Sequence, residues 1–212
     1  MRTAQLARQN TADLIAAVGP DAPTSCEGWT ARDLAAHLVV RDRRPDAMPG
    51  IVLPLFAGHT DSVQQACARR TSFPRLVELV RSGPPRWSPM RLPLLDQQTN
   101  LVEYAVHAED VRRANDVPGL PEMPAAVDDD LWKAIGMFAK LALRSVDGEV
   151  AARCAGRETR VLHKGRAGAG RAEITGGPRD VMFALAGRGF DGVSVDGDPE
   201  VVRAVEGAAM SM

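Results

Sequence analysis

Apolar positions recur at helical spacing through roughly the first two thirds of the chain and in short, glycine-bounded alternating runs after that. Leu6, Leu14, Ile15 and Val18 mark a first helix over residues 2–18, which Gly19-Pro20 cannot continue. Thr30 stands three residues before Asp33, the spacing of a capping box. It predicts a second helix to about Asp46, with Leu34, His37, Leu38 and Arg41 on one face. PDAMPGIVLPLFAG, broken by prolines and glycines, reads as a connection. A third helix is predicted over His59–Arg81, kinked or split at Pro74 and ended by SGPPRWSP. A fourth is predicted over Asp96–Asn115, and a fifth over Asp128–Ser145 opens on three aspartates that suit the positive end of its dipole.

Past Gly148 the texture changes. VAARCAG, TRVLHKG and RAEIT read as strands, GGPRDVMFALAGRG as a short amphipathic helix, GVSVDG as a strand and DPEVVRAVEG as a last helix, a βαβ-like finish. The expected class is α+β: a bundle of four, up to five, helices over 1–147 and a small α/β module over 148–212.

Composition narrows the partners. At 45% apolar and 25% charged, the chain has the make-up of a soluble globular protein, and no apolar run approaches a membrane span. The formal net charge of −1 gives no global pull toward nucleic acid, so a small-molecule partner is expected, on a monomer or homodimer. The opening MRTAQLARQNTADLIAAVG lacks the apolar core of a signal peptide, which points to the cytoplasm. Cys26, Cys67 and Cys154 are odd in number and scattered, as reduced, buried thiols would be.

Chemistry concentrates in two segments. Glu103 and His107, four apart on one helix, place a carboxylate oxygen beside an imidazole nitrogen, and a cation can bridge such a pair; the plain alternative is a surface ion pair. His37 lies between Leu34 and Leu38 on the face that should be interior, where an imidazole needs a partner. One site using all three explains them together: two imidazoles and a carboxylate around a divalent metal, with positions left for water or substrate. Such a donor set suits zinc, nickel, iron or manganese. Asp110, three residues past His107, is placed to orient that imidazole, and is also a candidate proton acceptor. Asp33 is explained by capping, and Glu109 reads as solvated. Arg41 and Arg44, four and seven residues after His37, could overhang the metal face and bind a carboxylate-bearing substrate or cofactor; surface pairing with Asp42 and Asp46 is the alternative. Arg112 and Arg113 read as last-turn dipole partners, His59 as a possible extra ligand, and His163 as structural. Trp29, Trp87, Trp132, Phe138, Met48, Met90 and Met137 read as core or gap fillers.

GWTARDLAAHLVVRDRRPDA, followed some way on by VEYAVHAEDVRRA, resembles the DinB-like metalloprotein superfamily, on its branch of mycothiol-dependent maleylpyruvate isomerase N-terminal domains. The resemblance implies a metal held by His37, Glu103 and His107, usually zinc, and mycothiol as a possible cofactor. ITGGPRDVMFALAGRG is similar, more faintly, to the sterol-carrier-like C-terminal domain of that isomerase. VRDRRPDAMPG departs from the isomerase pattern and resembles a separate metal-binding subfamily. Three functions follow as expectations: a transferase or isomerase using metal and a low-molecular-weight thiol on a small electrophile, a metal-dependent hydrolase of a small ester or amide, or a non-enzymatic metal-stabilised binding module.

Overall fold

The computed structural model describes residues 2–47, 57–92 and 99–209. The chain divides into two compact units, Met1–Pro124 and Ala125–Met212. The division falls one helix earlier than the texture change at Gly148 suggests.

The first unit holds α1 (Thr3–Val18), α2 (Ala31–Arg43), α3 (Ala57–Arg70), α4 (Phe73–Ser82) and α5 (Leu101–Ala114), with a 3-10 turn at Pro89–Arg91. α1 packs against α5 and α4, and α2 against α3 and α4. Leu14, Ile15, Leu34, Leu38, Leu76, Leu101 and Tyr104 are fully buried between them. Helix starts follow the sequence closely. Thr30 accepts from the Asp33 backbone N–H, and the Asp33 carboxylate accepts from that of Thr30, so four residues fix where the His37 helix begins. α2 stops at Arg43 rather than near Asp46, because Arg44 leaves helical geometry at the cap. The expected third helix is two, broken at Thr71-Ser72 with Pro74 in the first turn of α4, where its missing N–H costs nothing. Met48, most of the 45–58 connection and the expected start of the fourth helix at Asp96 lie outside the described residues.

The second unit holds α6 (Ala126–Ala142), β1 (Glu149–Arg153), β2 (Arg160–His163), β3 (Arg171–Gly176), α7 (Pro178–Leu185), β4 (Val193–Gly197) and α8 (Pro199–Ala209). α6 buries Leu131, Trp132, Ile135 and Ala139 and packs against α7 and β2. The sheet order is β2-β1-β3-β4. β1 and β3 are parallel, with Ala152 opposite Ile174; β3 and β4 are antiparallel, with Ile174 opposite Val195. The predicted β3-α7-β4 segment is therefore not a parallel βαβ unit: α7 is only eight residues long, and β4 returns against β3. The other face carries ion pairs, Arg153 with Glu173 at 2.6 Å and Arg171 with Glu149 at 3.3 Å. Trp87 and Met137, expected in the core, are 62% and 51% exposed.

Gly197 ends β4 at φ +138, where an added Cβ would meet the Arg171 carbonyl oxygen across the ladder. Only glycine tolerates both conditions. Gly197→Ala is expected to cost about 1–3 kcal/mol, read as a lower urea midpoint at unchanged slope; an unchanged midpoint would show that the strand end relaxes freely.

Candidate metal centre

Three side chains from two helices of the first unit meet. His37 rises from the middle of α2, and Glu103 and His107 are one turn apart on α5. His37 Nε2 lies 3.1 Å from Glu103 Oε1, and His107 Nε2 lies 3.2 Å from the same oxygen. The rings stand edge to face with centroids 5.2 Å apart. His107 is buried, His37 is largely so, and Glu103 is a quarter exposed.

The outer nitrogens decide what the inner ones offer. His107 Nδ1 lies 2.8 Å from Asp110 Oδ2, and an ionised carboxylate only accepts, so Nδ1 carries the proton. His37 Nδ1 lies 3.2 Å from Gln64 Oε1 and donates to it. Both Nε2 atoms are thereby turned as lone pairs toward a carboxylate oxygen. Three acceptors facing one another need a cation among them. A proton on His107 meets that need: burial alone would lower its proton affinity, but Asp110, Cys26 and Glu103 raise it well above the ordinary imidazole value. Burial likewise opposes the charge of Glu103, yet Arg41 and the two imidazoles hold its carboxyl well below the usual range.

A divalent ion fits the same demand. One ligand atom from each of the three residues lies within 4.8 Å of the others, and two imidazole nitrogens with one carboxylate oxygen form a donor set suited to zinc and its neighbours. Each imidazole already has its outer N–H anchored, the arrangement that fixes ring orientation in metal sites. Trp29 packs on the His37 ring with centroids 5.1 Å apart.

Arg41 is buried against this set. Its Nε stands 3.5 Å from Glu103 Oε1, and Nη1 donates to Asn100 Oδ1 at 2.8 Å, while Nη2 is buried with no hydrogen-bond partner among the described residues. Arg44 is not brought to the set. At the C-cap it has left the helical face and pairs with the Asp46 carboxylate at 2.7 Å in solvent. His59 also lies near Asp46, at 3.5 Å and half exposed. Glu109, expected in solvent, is buried at 3% exposure and held by Arg112 and Arg113, whose guanidiniums turn back one helical turn to reach it. Two groups escaped the sequence reading. Gln64 sits on α3, and Cys26 donates its thiol to Asp110 Oδ2 at 3.2 Å from 84 residues away. Neither carries a motif, and only the packing of α2 and α3, and of the loop before α2 against α5, brings them in.

The structure thus defines a helical bundle with two imidazoles and a carboxylate converging inside it, followed by a small α/β unit. Residues 4–49, spanning α1 and α2, match the family model described as Mycothiol maleylpyruvate isomerase N-terminal domain. The fold is similar to the crystal structure of the mycothiol-dependent maleylpyruvate isomerase, with a TM-score of 0.51 and 17% identity over 92% of this chain and 90% of that one. A histidine-to-alanine mutant of that isomerase is similar at a TM-score of 0.50 and 15% identity, with the same coverage. The fold resemblance read from the two histidine segments is met by these matches. No curated protein matches the chain. Among the described residues, no helix is long and apolar enough to cross a membrane.

Proposed function

We propose that this protein binds one divalent metal ion through His37 Nε2, Glu103 and His107 Nε2, and uses it with a low-molecular-weight thiol, mycothiol by analogy, in a transferase or isomerase reaction on a small electrophile. The observation that carries the reading is the pair of Nε2 atoms at 3.1 and 3.2 Å from one Glu103 carboxylate oxygen, on rings fixed by outward bonds to Gln64 and Asp110. A bound metal would supply Lewis acidity, lowering the pKa of a thiol so that it is a thiolate near neutral pH. The likeness to mycothiol-dependent maleylpyruvate isomerase supports the choice of a thiol.

The chain's own residues perform the remaining work. Gln64 and Asp110 hold the imidazoles so that neither ring must turn to accept a ligand. Trp29 covers one side of His37 and limits water there. Arg41 keeps Glu103 ionised and offers the two N–H groups of Nη2 to a carboxylate on thiol or substrate. Asp110 serves His107 and is fully buried, which suits it to orientation rather than to proton exchange with a substrate.

Elemental analysis of the purified protein beside His37→Ala tests the premise. About one equivalent of zinc or a related metal is expected in the wild type, with binding weakened roughly 100-fold or more in the variant. Folding should be retained, because His37 is partly exposed and its outer partner, Gln64, carries no charge to be stranded. A metal-free wild type that gains no stability from added zinc, nickel, iron or manganese would end the reading. Metal binding with no thiol association would leave hydrolysis or a non-enzymatic role in its place.

A further inference from the structure

Cys26 sits in the loop before α2, one residue beyond the Ser25 N–H that donates to the Asp110 carbonyl oxygen at 2.9 Å. That backbone bond docks the loop onto α5. Its consequence is to bring the Cys26 thiol to 3.2 Å from Asp110 Oδ2, the same oxygen that receives His107 Nδ1 at 2.8 Å. One ligand atom each of Cys26, His107 and Asp110 lies within 4.8 Å of the others. The three groups form a closed, buried cluster on the far side of His107 from Glu103.

We infer that Cys26 is a positioning residue of the metal centre: its thiol holds Asp110 in the rotamer that anchors His107 Nδ1, and so aims His107 Nε2 at the metal. A carboxylate has four lone-pair directions and turns readily about its last bond. An oxygen shared by two donors from different segments cannot rotate without losing both. The thiol is the donor in this contact, a positioning part of the cluster rather than its nucleophile. The thiol fills a site that is 9% exposed beside a carboxylate with no exposed surface, so no water replaces it readily.

This inference rests on the proposed metal centre, and its test separates the two. Zinc affinity, by competition with a chromogenic chelator, is to be compared in wild type, Cys26→Ala and Cys26→Ser, with folding followed by circular dichroism. Cys26→Ala is expected to bind zinc roughly 10–100-fold more weakly. Cys26→Ser, which keeps a donor, should recover most of the loss. In chelator-treated protein, the His107 Nδ1 proton should give a downfield NMR signal protected from solvent exchange, weakened in Cys26→Ala and restored in Cys26→Ser. That signal decides the role of Cys26 even where the wild type takes up no zinc, the result that would instead remove the metal reading. Equal affinities and equal protection in Cys26→Ala and wild type would overturn the inference. So would a second zinc equivalent lost with Cys26, which would make the thiol a ligand.

Discussion

His107→Ala is expected to abolish metal binding and also to destabilise the metal-free fold by about 3–5 kcal/mol, the cost of breaking one side of a buried ion pair. The second effect follows from Asp110, which has no exposed surface and relies on the His107 imidazole at 2.8 Å for opposite charge. Because the folded protein holds the His107 proton well above the ordinary value, this stabilisation is present in full below the unfolded imidazole value, about pH 6.5. It is lost only as pH rises through the elevated folded value. Urea denaturation in chelator at about pH 6 therefore shows the largest loss. His37→Ala should cost far less, because Gln64 is neutral and Glu103 keeps Arg41 and His107 as partners. Adding Asp110→Asn to His107→Ala removes the stranded charge, and the double mutant should show a coupling of roughly 0.5–3 kcal/mol. Equal losses for His37→Ala and His107→Ala, with no recovery in the double mutant, would mean that Asp110 is stabilised by its other neighbours.

How the centre was legible follows from the reach of each signal. Glu103 and His107 are neighbours because four residues make one helical turn, and His37 is interior because Leu34 and Leu38 are; both facts are local. That the two helices present these side chains to one point is tertiary, and the sequence could state it only as an economical explanation of three residues. Arg41 illustrates the boundary. Its spacing from His37 put it on the right face, and the same argument carried one turn further placed Arg44 there too, but the helix ends at Arg43 and the periodicity ends with it. Glu109, expected in solvent, is instead enclosed by Arg112 and Arg113, which turn back along the helix onto its carboxylate. Gln64 and Cys26 had no local signature, since the amide becomes a partner of His37 and the thiol a partner of Asp110 only through contacts made across 27 and 84 residues.

The residue after Arg41 leads to the second large effect, a pH dependence that runs against the usual acid sensitivity. Asp42 is 2% exposed; burial pushes its carboxyl up to about 6, with the Tyr104 hydroxyl, donating at 2.6 Å, and Arg41 only partly offsetting that. The folded protein therefore takes up a proton there between about pH 4 and pH 6 that the unfolded chain does not. Stability from this group is full below the unfolded value, declines through that window and is gone above it, a change of about 3 kcal/mol. Tyr104, held well above its normal value by the same burial and by Asp42, remains a donor throughout. Asp42→Asn keeps an acceptor for Tyr104 and has no proton to lose. Relative to wild type, it should gain about 2 kcal/mol between about pH 4.5 and pH 8, measured by urea denaturation. Glu103 and Glu109, both held below the ordinary range, give the opposite trend in each protein and cancel in the comparison. A difference between the two proteins that stays flat across this range would place the Asp42 carboxylate in contact with water, and would remove the buried Asp42–Tyr104 pair from the account of how α2 and α5 are held together.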